Sequence, residues 1–118
     1  MAAVLIKQDN YLQEVERFVE DVCNQYSLTD SYFGNILISV LEAIDILKGK
    51  EAKEISINQE KEKMLSISFS LEGEKVPDLL REMEDEAEEK SIFLIEMLTD
   101  RVEVSNDQKS ISLCFDIG

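Results

Sequence analysis

Histidine is missing altogether from the 118 residues, and every chemistry that runs through an imidazole goes with it. Excluded are His general acid or base catalysis, Ser/His triads, His-ligated metals and phosphohistidine transfer. Positive charge is also scarce, with 12 Lys and Arg against 26 Asp and Glu and a formal net charge of -14. Binding to a phosphate backbone or an anionic lipid surface depends on Lys and Arg neutralising negative charge, so nucleic acid and membrane are not expected as partners. Long apolar runs are lacking, and nothing approaches the roughly 18 residues of a membrane span. Residues Met1 to Gln8 have neither a basic start nor a long apolar core and do not read as a secretory signal; the expected location is the cytoplasm. The two cysteines, Cys23 and Cys114, sit in apolar patterns without a CxxC or Cys/His companion, which predicts buried free thiols rather than a disulfide or zinc site.

What is present is one domain's worth of chain with regular apolar periodicity. A chain of this length buries about two-thirds of its unfolded surface and needs no staples. Residues 3 to 8 suit a short first strand. Asp9 and Asn10 offer N-cap oxygens, with Gln13 completing a capping box. Leu12, Val15, Phe18, Val19, Val22 and Tyr26 recur at steps of three and four, predicting a helix that ends near Tyr26. Thr29 or Asp30 caps a second helix with a broad apolar face from Phe33 to Leu47, ended by Gly49. Alternation then predicts strands at 54–58 and 64–71, joined by a loop at 59–63. Pro77 suits a first helical turn, and 78–90 is helix-permissive but poor in apolar residues. Ser91 to Leu98 is strongly apolar and by periodicity alone suits either a buried helix or a strand; the strand pair that follows favours a helix, with Ser91 as N-cap. The alternating Val102, Val104, Ile111, Leu113, Phe115 and Ile117 flank a turn at 105–109 as a closing hairpin. The fold class predicted is α+β: a two-layer sandwich of a mixed, mostly antiparallel sheet with helices on one face.

This succession resembles the GHKL, or histidine-kinase-like, ATPase domain, and most closely the small anti-sigma-factor serine kinases. The likeness runs nearly end to end. The stretch Asn35 to Ile46 (NILISVLEAIDI) is similar to the family's N-box helix, which carries Glu-Ala-x-x-Asn. Ser91 to Leu98 (SIFLIEML) is similar to the helix after the glycine-rich lid, and VEV at 102–104 with KSISLCF at 109–115 resembles the last hairpin. The resemblance implies that Glu42 is the candidate for an ancestral catalytic carboxylate, which in that family helps activate the attacking group, with a magnesium-coordinating Asn one turn later. From its place near the polar edge of an amphipathic helix, Glu42 reads as an ordinary solvated or salt-bridged residue.

Three departures bear on ATP. Ile46 stands at the Asn position and has no lone pair for a cation, while Asp45 points roughly 100° round the helix. In place of the adenine-binding Asp-x-Gly-x-Gly the chain has LEGEK at 71–75; Gly73 survives, Leu71 accepts no hydrogen bond, and Glu72 serves only if the strand slips by one residue, which turns it to the other face. The Gly-x-Gly phosphate loop is replaced by EEKS at 88–91. Between Glu74 and Lys90 stand eight acids against three bases, and like charge repels a triphosphate.

The expectation is a pseudo-ATPase: a non-catalytic regulatory protein-binding module with no cofactor, whose partner is a sigma factor, an antagonist of an anti-sigma factor, or a second copy in a homodimer. The alternative is a divergent ATP-dependent protein serine kinase or anti-sigma factor acting in transcription regulation, using ATP and magnesium, with Asp45, Glu72, Gly73 and Ser91 around the nucleotide. A third reading is an unrelated two-layer domain, for which fold alone suggests no function. Lys90 and Ser91 at a helix start present either anion-binding backbone donors or an ordinary cap. The acidic run at 82–89 is a docking surface for a basic partner or a solvated face. Met64, Met83, Met97 and the aromatic positions are read as core.

Overall fold

The computed structural model describes residues 3–6, 11–49, 55–61, 64–71, 86–105 and 110–117. Its elements follow the order β1 (Ala3–Ile6), α1 (Leu12–Gln25), α2 (Asp30–Gly49), β2 (Ile55–Lys61), β3 (Leu65–Leu71), α3 (Glu86–Leu98), β4 (Arg101–Val104) and β5 (Ser110–Phe115). The strands form a five-stranded sheet in the order β1-β2-β3-β5-β4, and every described pairing is antiparallel. This is the α+β two-layer sandwich expected, with no parallel pair among the described strands.

Alternation along each strand sorts the sheet into an apolar face and a polar one. Ile57 lies opposite Phe69, Ile67 opposite Leu113 and Phe69 opposite Ile111, so these buried side chains stand in rows beneath the helices. Cross-strand neighbours of this kind are the units that hold a sheet together. The intervening positions carry serine: Ser66, Ser68 and Ser70 on β3, and Ser110 and Ser112 on β5. Ser68 and Ser112 share a hydrogen bond at 3.0 Å, and Ser66 Oγ lies 3.5 Å from Cys114 Sγ. Cys23 and Cys114 are both free and buried, as expected, but Cys114 is flanked by Ser66 and Arg101 on the serine side of the sheet.

Helix α2 lies between α1 and α3. Val15, Phe18, Val19 and Val22 of α1 meet Ile36, Val40, Ile44 and Leu47 of α2 in the same core as the inward strand residues, joined by Ile92 and Ile95 of α3. Burying one such side chain contributes about 1.5–3 kcal/mol, which is why this stripe decides the helix orientations. At the end of α1, Ser27 adopts φ 53°; Leu28 N donates to Cys23 O at 2.8 Å and Ser27 N to Asn24 O at 3.3 Å. This is a Schellman close, and it returns Leu28 to the core.

Three boundaries differ from the sequence expectation. Helix α1 begins at Leu12 behind Tyr11, and no side chain caps it; Asp9 and Asn10 lie outside the described residues. Strand β2 runs on to Lys61 instead of stopping at Asn58, because Gln59, Glu60 and Lys61 pair with Ile67, Ser66 and Leu65. Helix α3 starts at Glu86, not Ser91: Glu, Ala and Lys are good helix formers and carry the helix back beyond its apolar stretch. The acidic segment up to residue 85 lies outside the described residues, as does the turn at 106–109. Among the described residues no helix is long and apolar enough to cross a membrane.

Candidate functional site

The seam between α2 and α3 holds Glu42, the carboxylate that the sequence singles out. Ser91 Oγ donates to Glu42 Oε2 at 2.6 Å, within the range of a charge-assisted O–H···O bond. Glu42 is half-buried, and Ile46, one helical turn on, is buried in the core rather than facing Glu42's polar surroundings. Asp45 turns to another side, as the helical period requires, and there accepts the hydroxyl of Tyr11 from the start of α1. Both acidic side chains of this stretch therefore have partners from neighbouring helices, and both contacts tie helices together.

Ser91 does not cap α3. With the helix starting at Glu86, its N–H falls within the i→i−4 ladder, so neither it nor Lys90 supplies the free backbone donors of a helix start. Ser91 meets Glu42 through its side chain instead. Glu72 and Gly73 lie outside the described residues, so Glu42, Asp45 and Ser91 are the candidate residues that can be placed. Glu42 and Ser91 come together; Asp45 stands apart from them. Among the described residues, no three His, Cys, Asp or Glu side chains lie close enough to share a metal ion.

A second polar cluster was not legible as such in the sequence. Gln59 is 2% exposed, yet its amide is paired at both ends: Tyr26 Oη donates to its Oε1 at 2.9 Å and its Nε2 donates to Gln25 Oε1 at 3.1 Å. Gln25 Nε2 closes the ring toward Tyr26 Oη at 3.4 Å, and Lys61 Nζ sits 5.3 Å from the centroid of the Tyr26 ring. The available signal was parity, since Gln59 follows Ile55 and Ile57 on the inward side.

At the far end of the seam, a cleft of about 330 Å³ opens between the start of α2 and the end of α3, lined by Ser31, Tyr32, Asn35, Met97 and Asp116 among others. Tyr32 Oη donates to Asp116 O at 3.1 Å, and Asp116 N donates to Asp100 Oδ2 at 2.7 Å. Neither Glu42 nor Ser91 lines it. Met97 and Phe93, read as core from the apolar pattern, are each 64% exposed. Met64 is half-buried, and Met83 lies outside the described residues. In comparisons with known proteins, no family model matches the chain and no curated protein matches it.

Proposed function

We propose that this chain is a non-catalytic, regulatory protein-binding module, a pseudo-ATPase related to the anti-sigma-factor serine kinases. The observation that carries the reading is the Ser91–Glu42 hydrogen bond. In an N-box ATPase that carboxylate must be open to the attacking group, whereas here a hydroxyl from α3 takes one of its oxygens. The buried Ile46 at the place of a metal-coordinating Asn and the engagement of Asp45 by Tyr11 point the same way. A fold held together while its former catalytic carboxylate serves helix packing is suited to presenting a surface, with a sigma factor, an anti-sigma antagonist or a second copy as the protein partner in the cytoplasm.

Calorimetric titration of ATP into the chain, with and without magnesium, tests this. The expected result is no heat at millimolar ATP and no rise in melting temperature, since any ligand that prefers the native state stabilises it. Saturable magnesium-dependent binding, weakened by Glu42→Ala, overturns it in favour of a divergent serine kinase.

A further inference from the structure

Helix α3 is apolar on both sides. Ile92 and Ile95 enter the core, while Phe93, Leu94 and Met97 point outward and are 64%, 37% and 64% exposed. A helix hydrophobic all round is normally covered all round. The neighbouring helix continues the patch. Glu42 of α2 meets Ser91 of α3, and Asn35 shares the cleft with Met97 and Leu98, so the two helices run antiparallel. Ile38, 44% exposed on α2, lies between those points, level with Leu94. Exposed charges near the strip are mostly acidic: Glu96 and Asp100 beside α3 and Asp45 on α2, against Lys90 one turn before Leu94.

We infer that this α2–α3 surface docks an amphipathic helix of a different protein, whose apolar stripe lies along Ile38, Leu94, Phe93 and Met97 and whose polar positions are basic. Phe93 and Met97 stand one helical turn apart on one face, the spacing that receives the i, i+4 anchors of a docked helix. Charge selects the occupant. A second copy brings the same acidic border and a net charge of -14 against its own like, whereas Lys and Arg beside an apolar stripe complement it. The inference rests on the protein-binding reading above and supplies the class of partner.

The probe is a fluorescein-labelled synthetic helix with leucine on one face and lysine on the other, titrated with the full chain and followed by anisotropy at low and high salt. A matched leucine–glutamate helix is the control. Saturable binding of the lysine helix alone is expected, weakened about tenfold or more by Phe93→Asp or Met97→Asp. Glu96→Lys is expected to weaken it by about threefold to tenfold, mostly at low salt, and Glu20→Lys, on exposed α1 surface, by less than about twofold. Urea midpoints of the variants check that these exposed substitutions leave the fold intact. Equal binding of both helices, no binding, or indifference to Phe93→Asp and Met97→Asp overturns the inference. So does a dimer in sedimentation velocity that Phe93→Asp disperses, because a second copy is then the occupant. These failures leave the ATP titration unaffected, so the docking surface and the pseudo-ATPase reading fail separately.

Discussion

Removing one hydroxyl from the Tyr26–Gln59–Gln25 ring tests whether a buried amide on the inward side of β2 is tolerated only because it is paired. Tyr26→Phe keeps the ring's packing but strands Gln59 Oε1, which now accepts at 2.9 Å from within a residue 2% exposed. An unsatisfied buried acceptor costs about 1–3 kcal/mol, and because Tyr26 itself is half-buried a value near 1.5 kcal/mol is expected. At an unfolding entropy of about 2.1 cal/mol/K per residue, 118 residues give about 0.25 kcal/mol/K, so the melting temperature falls by about 6 °C. Gln59→Met removes the polar group instead and, combined with Tyr26→Phe, leaves nothing stranded. The double variant is expected to be more stable than the sum of the single losses by about 1 kcal/mol. Urea denaturation of the four proteins gives the coupling. A Tyr26→Phe loss below about 0.3 kcal/mol, or strict additivity, refutes the reasoning and means the amide is satisfied in some other way.

Three further outcomes are expected. Ser91→Ala and Glu42→Gln should be coupled by about 1 kcal/mol in urea denaturation, limited by the water that reaches half-buried Glu42; independence of the two would remove the tie between α2 and α3. Ser27→Gly, which relieves a non-glycine residue of its left-handed backbone at φ 53°, should stabilise by about 0.5–1 kcal/mol, and Ser27→Val should destabilise; a loss on Ser27→Gly contradicts the Schellman assignment. Burial raises the Cys23 thiol above its ordinary value, so the native state holds its proton longer than the unfolded chain. Its contribution to stability is present below the unfolded thiol's titration near pH ~8.5 and declines as pH rises beyond it. Cys23→Ala should flatten that alkaline decline in thermal melts, and an unchanged slope would count against the shift.

Much of the architecture was written in periodicity. The strand pattern of Leu65, Ile67 and Phe69 and the three-and-four stripe of α1 required only that one side face a core, which is local information. The ends of elements were less accessible because they depend on distant partners. Strand β2 reaches Lys61 because β3 offers matching backbone groups, and the inward Gln59 looked like a loop residue until Tyr26 and Gln25 arrived from the helix layer. Ser91 looked like a cap for the same reason: its real partner, Glu42, is far away in sequence. Of the candidate site, the helix positions of Glu42, Asp45 and Ile46 followed from spacing. The hydrogen bond that occupies Glu42 did not, since it depends on how two helices align. Phe93 and Met97 were misplaced because an apolar run does not say which of its faces the core will take.

The sheet order also sets a timetable. Strand β3 is completed at Leu71, but its second neighbour, β5, ends at Phe115, 44 positions later. At about 5–20 residues per second of synthesis, one flank of β3 waits about 2–9 seconds for its mate. An unpaired strand carrying Leu65, Ile67 and Phe69 invites association with other nascent chains. Ser66, Ser68 and Ser70 interrupt its hydrophobicity at every second residue, and so make the ribosome-bound intermediate a poorer template for aggregation long before they line the polar side of the finished sheet.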